Sequence, residues 1–96
     1  MQANVNETLT QTAKNINILL KAYNYTIARL AKEAEIPEND LRDFLTFRQL
    51  DQLDMDSFLH IAFVLQISPA WLFMPEKLLL EQIAAHGSGP QNSRSK

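Results

Sequence analysis

A series of short apolar stripes at helical spacing, separated by residues that end helices, most constrains the fold of this chain. Each stripe consists of apolar residues three or four positions apart, within 9–23, 27–34, 41–45 and 58–65. Side chains at this spacing share one face of an α-helix. Between the stripes stand Asn24, Ile36-Pro37 and Ser68-Pro69, and the residue before a proline is pushed out of the helical region. This pattern predicts a bundle of short helices.

Length and composition agree with a single small all-α domain. The chain has 96 residues, 46% of them hydrophobic, with two Gly and no Cys, which leaves room for one core and argues against a disulfide scaffold or a β-sandwich. We predict the following segments: a flexible N-terminus over 1–8, a helical domain over 9–74, a C-terminal helix within 75–86 and a disordered polar tail over 87–96.

Short polar residues stand where helix caps are needed. Thr26 precedes the second stripe, Asp54 and Asp56 precede the fourth, and Ser68 precedes Pro69. Ser, Thr and Asp side chains accept hydrogen bonds from the free amides of a helix start, and Pro suits the first helical position. We therefore expect the second helix to begin after Thr26, the fourth after one of the two aspartates, and a short fifth helix after Ser68.

The segment 25–73 resembles the helix-turn-helix domain of the Cro and lambda-repressor family. Thr26 and Leu30-Ala31 match the family's second helix, Ile36 its turn, and Leu65-Gln66-Ile67-Ser68 its closing corner. The resemblance implies a lambda-repressor-like DNA-binding domain, a five-helix bundle to which the C-terminal stretch adds a helix. It also implies that the third helix enters the major groove of an operator, and hence a transcriptional regulator, most simply a repressor.

The family alignment identifies candidate DNA contacts on a recognition helix over about 38–46. The base-contact candidates are Glu38, Asn39, Arg42 and Asp43. Asn can pair with adenine, Arg with guanine, and Glu with the amino group of cytosine. The phosphate-contact candidates are Thr26, Lys32, Thr46, Arg48 and Gln49. Ile27 and Glu35 depart from the family, which places Gln and Gly at these positions.

The charge of the segment favours a second interpretation. Between Glu35 and Asp56 the chain has seven acidic and two basic residues, and its net charge is −2. Neutralisation of phosphates supplies much of the affinity of DNA-binding proteins. The alternative is a protein-interaction module of the same fold, whose acidic helix 3 face binds a protein partner. The acids also complement the helix dipole, and Arg42 is equally compatible with a solvated pair to a neighbouring carboxylate.

The C-terminal stretch has more apolar residues than one short helix needs for docking. Exposed apolar stripes generally mark interfaces, so we predict a homodimer. The dimer-interface candidates are Leu79, Leu80 and Ile83. The alternative is that the stretch folds back over Trp71 and Phe73.

Among the aromatic residues, we expect a core set of Phe44, Phe58, Phe63, Trp71 and Phe73. Phe47 lies in a loop, as an exposed contact or as a plug over the corner between helices 3 and 4. We expect solvated side chains at His60 and His86, and neither has the company that a metal site needs.

Catalysis and membrane insertion have no support in the sequence. It has no nucleophile with a nearby His, no Gly-rich phosphate loop and no paired carboxylates placed for a cleft, so we expect neither an enzyme nor a cofactor. No apolar run approaches the roughly 18–20 residues that cross a bilayer, and the N-terminus lacks a signal-peptide pattern. We expect a cytoplasmic protein without a membrane partner.

Overall fold

The computed structural model describes residues 5–86, so the predictions for 1–4 and for the tail 87–96 lie outside the described residues. The described chain forms five α-helices and one 3₁₀ helix, without a strand. They are α1 Val5–Tyr23, α2 Ile27–Ala34, α3 Glu38–Leu45, α4 Met55–Leu65, the 3₁₀ helix Pro69–Leu72 and α5 Glu76–His86. The all-α prediction is confirmed.

The start of α1 differs from the prediction. The helix begins at Val5, so residues 5–8, which were expected to be flexible, form its first turn. Val5 lies four positions before Leu9 and so continues the apolar stripe of the helix, a signal that the prediction overlooked because residues 6–8 between them are polar. The predicted end is confirmed, since α1 stops at Tyr23 and Asn24 takes the left-handed conformation with φ 61°. Asn adopts that conformation more readily than most residues.

The predicted caps of α2, α4 and the 3₁₀ helix are confirmed. The Thr26 hydroxyl accepts from the Arg29 amide at 3.0 Å, and the Asp54 carboxylate accepts from the Ser57 amide at 3.0 Å. Ser68 caps the 3₁₀ helix, and Pro69 is at its start. These side chains satisfy amides that the helices themselves leave without partners.

The turn between α2 and α3 is built without glycine. Glu35 ends α2 in the left-handed conformation, with φ 61°, and its amide donates to the Lys32 carbonyl at 3.3 Å. Pro37 stands at the N-cap of α3 without a side-chain bond. A left-handed residue other than Gly strains the backbone, so the position that departs from the family's turn glycine is also a strained one.

The core lies where α1 crosses the other helices. α1 packs against α3, α5 and the 3₁₀ helix, while α2 packs against α3 and α4. Phe58 connects two parts of the core, because its ring lies 5.4 Å from the Phe44 ring and 5.8 Å from the Phe73 ring, measured between centroids. The predicted core positions of Phe44, Phe58 and Trp71 are confirmed.

Two of the predicted core aromatics are wrong or only partly right. Phe63 is 83% exposed, and Phe73 is 38% exposed although its ring contacts Phe58. The buried residues Phe58 and Ile61 define the inner face of α4. Phe63 follows them by five and two positions, which places it roughly 140° and 200° around the helix. Phe63 therefore points away from the core.

A buried polar residue joins α1 to the corner before α5. Asn15 has no exposed surface, and its side-chain amide donates to the carbonyls of Trp71 at 3.1 Å, Leu72 at 3.2 Å and Met74 at 2.8 Å. Its own oxygen accepts from the Gln11 side chain at 2.9 Å. These bonds satisfy carbonyl groups where the 3₁₀ helix ends, and they attach the segment that leads to α5 to α1.

Candidate nucleic-acid interface

The outward side of α3 gathers the predicted base-contact residues. Leu41, Phe44 and Leu45 are buried, so the opposite side of this short helix faces solvent. That side, which we call the α3 face, consists of Glu38, Asn39, Arg42, Asp43 and Thr46. All of them are exposed except Asp43, which is half-buried. Side chains three and four positions apart are neighbours on a helix, so the four predicted base contacts form one surface.

Arg42 on the α3 face and Arg48 in the turn after it are already paired within the chain. Arg42 bonds to Glu38, and the Arg48 Nε lies 3.8 Å from a carboxylate oxygen of Asp43. The alternative predicted for Arg42, a pair with a neighbouring carboxylate, is therefore the arrangement that the structure has. The paired side chains of Arg42 and Glu38 are 50% and 47% exposed. Exposed pairs contribute only about 0–1 kcal/mol, so either cation can change partner at little cost.

The turn after α3 brings three phosphate-contact candidates together. The Thr46 hydroxyl donates to the Arg42 carbonyl at 2.8 Å, while the amides of Arg48 and Gln49 donate to the Asp43 carbonyl at 2.8 and 3.1 Å. The turn requires Phe47 in the left-handed conformation, with φ 66° and its side chain 46% exposed. Of the two alternatives for Phe47, an exposed residue or a plug over the corner between helices 3 and 4, the structure has the exposed residue. Thr46, Arg48 and Gln49 all remain open to solvent.

The remaining phosphate candidates lie at opposite ends of α2. Thr26 caps the start of this helix, whose first turn has no acidic residue. The amides there are the part of α2 best suited to an anion. Lys32 is in the last turn, about 9 Å further along the axis. Lys32 makes no ion pair within residues 5–86, but the structure does not bring it together with Thr26.

A third arginine, absent from the predicted contacts, is fixed on α2. The Arg29 guanidinium lies 4.2 Å above the centre of the Tyr25 ring, and its Nε donates to Glu33 at 3.0 Å. The Tyr25 hydroxyl donates to the other oxygen of Glu33 at 2.7 Å. Glu33 follows Arg29 by four positions on α2, a spacing that signals this pair in the sequence, whereas Tyr25 precedes the helix and gives no such signal. All three arginines of the described residues are therefore ion-paired.

The network around Glu33 shifts the pKa values of its members. The hydrogen bond from Tyr25, followed by that from Arg29, lowers the pKa of the Glu33 carboxyl below its ordinary value. Burial, followed by the bond to Glu33, raises the pKa of the Tyr25 phenol. The carboxylate of Glu33 is thus held in its charged form by its partners. Its negative charge balances the positive charge of Arg29 on the same helix.

The predicted dimer residues of α5 do not share one environment. Leu79 is fully buried, so its prediction as a surface contact is wrong: the residue belongs to the core and follows the corner anchored by Asn15. Leu80 is 47% exposed, and Ile83 is half-buried against the core. His86 is exposed as expected, but its ring packs edge-on against Trp71, with centroids 5.2 Å apart.

Metal sites, membrane spans and known relatives add no further constraint. Within residues 5–86, no group of three or more His, Asp or Glu side chains is arranged to hold a metal ion. No helix of that segment is long and apolar enough to cross a bilayer. Comparisons of the chain with protein-family models, with curated proteins and with solved structures found no significant match.

Proposed function

We propose that the protein is a sequence-specific DNA-binding regulator of transcription, most simply a repressor. In this proposal α2 and α3 form a lambda-repressor-like helix-turn-helix, and α3 enters the major groove of a double-stranded operator. The observation that carries the proposal is the α3 face, which remains open to solvent while the opposite side of the same helix is buried. A helix held in this way can enter a groove without unfolding the core.

The chemistry of the α3 face suits base recognition at two positions. Asn39 offers an amide that can bond to adenine, and Arg42 a guanidinium that can bond to guanine. Arg42 would exchange Glu38 for the base, and the released Glu38 could accept from the amino group of cytosine. Thr46, Arg48 and Gln49 in the following turn would contact the backbone, as would the start of α2.

A single copy offers few cations, so the proposal includes a homodimer that binds two half-sites. α5 is the proposed seam, with the exposed Leu80 and the half-buried Ile83 as its contacts. We further propose that the protein acts in the cytoplasm, on DNA, and without catalysis or a cofactor.

A second candidate function is favoured by the pairing of all three described arginines. In it the α3 face is a protein-binding surface that meets a basic partner. Three acids, Glu38 and Asp43 on this face and Asp40 beside it, stand against the two cations Arg42 and Arg48. Such a surface attracts positive charge and repels phosphate. The fold would then serve as a scaffold for a protein interaction.

Selection from a pool of randomised duplexes at low salt tests the leading proposal. A recovered consensus should lose preference at one base pair in Arg42→Ala, by about 1–3 kcal/mol. Arg48→Ala should weaken all sequences alike and reduce the salt slope by about one. Lys77→Ala, an equal charge change on α5, is the control and should leave the consensus intact. No salt-sensitive binding to any duplex would reject the DNA proposal and favour the protein-binding one.

A further inference from the structure

α4 presents a second apolar side that the core does not use. Met55, Leu59 and Phe63, which we call the α4 stripe, are 56%, 43% and 83% exposed. They follow one another at intervals of four residues, so each is turned by about 40° from the last, and the three extend over about 12 Å of the helix axis. They therefore form one continuous ridge. The buried side of α4, with Phe58 and Ile61, is complete without them.

The α4 stripe is large for an exposed apolar surface on a small domain. If a large side chain offers about 200 Å², the three exposures add up to roughly 300–400 Å². Apolar patches of a few hundred Å² on soluble monomers are often binding sites. Phe63 is the most exposed of the three, with its ring almost wholly in solvent. Packing of the core does not require an aromatic residue at this position, since a polar residue would leave the helix equally well packed.

The surroundings of the α4 stripe are acidic. Asp56 is exposed beside Met55, and from Gln49 to Ser68 the chain has three Asp and no Lys or Arg. At the Phe63 end a depression of about 190 Å³ lies between α4 and the end of α2, lined by Glu33, Ala34, Glu35, His60, Phe63 and Val64. The apolar ridge is thus bordered by Asp56 at one end and by Glu35 at the other, while Glu33 is already paired with Arg29.

These features favour a partner other than a second copy of the chain. A stable interface covers about 800 Å² on each partner, and the stripe alone offers less than half of that. Two copies packed stripe to stripe would also bring their acidic borders close together, and juxtaposed like charges weaken association. The same acids disfavour DNA and anionic membranes. A basic and apolar segment avoids the charge repulsion, and a short helix needs a smaller surface than a second folded copy does.

We propose that the α4 stripe binds an amphipathic helical segment of a partner protein, with apolar residues at helical spacing flanked by Lys or Arg. Its apolar side chains would pack along Met55, Leu59 and Phe63, and one of them would enter the depression beside Phe63. Its cations would face Asp56 and Glu35. Recognition of an amphipathic helix by apolar anchors at this spacing is a common mode of peptide binding. The site is separate from the α3 face and does not depend on DNA binding.

A synthetic peptide tests the proposal. The probe is a fluorescent 14-residue helix of Leu and Lys with one apolar stripe, and its control has Glu in place of every Lys. The full chain should bind the Lys peptide at least about tenfold more tightly than the Glu peptide, as measured by fluorescence anisotropy. Phe63→Ser and Leu59→Ser should each weaken binding of the Lys peptide by about tenfold or more, since anchors of this kind dominate small interfaces.

Matched variants separate the α4 stripe from other surfaces. Leu80→Ser alters a leucine of α5 that is 47% exposed, close to the exposure of Leu59, and should leave the affinity unchanged. Glu38→Gln, on the α3 face, should also leave it unchanged. Circular dichroism checks that each variant is folded.

Three results would overturn the proposal. The first is equal binding of the Lys and Glu peptides. The second is a loss of affinity in Leu80→Ser or Glu38→Gln that matches the loss in Phe63→Ser. The third is a dimer, seen by light scattering, that Phe63→Ser converts to monomer, because the stripe would then be a contact between copies of the chain.

Discussion

Removal of the Asn15 side-chain amide should destabilise the whole domain, although Asn15 is fully buried and takes no part in the surfaces proposed to bind a partner. The amide is fully buried and lies between 2.8 and 3.2 Å from the carbonyl oxygens of Trp71, Leu72 and Met74. It has two N–H groups, so it shares them among three acceptors. In Asn15→Ala these carbonyls lose their donor, and a small cavity remains beside them.

The size of the effect follows from the number of bonds. A buried polar group left without its partner costs about 1–3 kcal/mol. Two N–H groups therefore correspond to a loss of roughly 2–6 kcal/mol, a large share of the 5–15 kcal/mol typical of domains. At about 4–8 °C per kcal/mol for a domain of this size, a loss of 3 kcal/mol lowers the Tm by roughly 10–25 °C. Asn15→Asp should lose at least as much at neutral pH, because a carboxylate offers no donor.

Urea denaturation followed by circular dichroism measures this loss. The matched control is Asn17→Ala on the same helix, whose amide makes one partly buried bond, to the Leu45 carbonyl at 3.0 Å; it should lose about 1 kcal/mol. Asn15→Asp should recover part of its stability in acid, where the protonated carboxyl can donate. If Asn15→Ala were no less stable than Asn17→Ala, the reasoning that these bonds hold the corner before α5 would be refuted.

Three further predictions concern α2 and α5. Leu79→Ala should lower the free energy of unfolding by about 2–5 kcal/mol, whereas Leu78→Ala, at a leucine that is 46% exposed, should change it by no more than about 0.5 kcal/mol, both measured by urea denaturation. Glu35→Gly should raise the Tm, since removal of left-handed strain of about 1–2 kcal/mol exceeds the roughly 0.5–1 kcal/mol of added chain entropy; a lower Tm would contradict it. Glu33→Gln should lower the pKa of Tyr25 towards its ordinary value, as followed by NMR, without reaching it because burial remains. Because the pKa of Glu33 is lowered in the folded protein, its contribution to stability is complete above the ordinary carboxyl pKa and disappears as the pH falls through the lowered value.

Most helix boundaries were predictable because caps act locally. Thr26, Asp54 and Ser68 bond to amides two or three positions away, so the sequence around each helix start contains the whole interaction. The same holds for Asn24, whose tolerance of the left-handed conformation ends α1. The start at Val5 was missed because residues 6–8, between Val5 and Leu9, are polar and hide the spacing of four that joins the two apolar residues.

Packing errors arose where a helix has apolar residues on two sides. α4 has Phe58 on one side and Phe63 on another, and hydrophobicity alone does not show which side another helix covers. On α5, Leu79 and Leu80 are adjacent and identical in type, yet one is fully buried and the other is 47% exposed. The difference depends on how α5 leaves the corner anchored by Asn15, an interaction across 56 or more positions of sequence.

The sequence predicted which residues of the candidate site lie on one surface, but not which of the nearby cations are unpaired. The bond between Arg42 and Glu38 follows from their spacing of four, and the same spacing joins Arg29 to Glu33. The position of Tyr25 beneath Arg29 was not predicted, because Tyr25 precedes α2 and only its backbone path brings the ring under the guanidinium. The sequence therefore suggested more cations without a carboxylate partner than the described surface has.

The two functions proposed for the α3 face differ in their response to salt. The ion pairs do not decide between them, because an exposed pair such as Arg42 with Glu38 contributes about 0–1 kcal/mol, less than the 1–3 kcal/mol that a guanine contact can return. The two functions are distinguished instead by the number of phosphates that the protein neutralises, because this number sets the salt dependence of DNA binding. Lys32 and Arg48 supply about two per copy, which predicts a slope of log K against log salt near −2 per copy, and near −4 for a dimer. A steeper slope on DNA would require cations beyond those of α2 and α3.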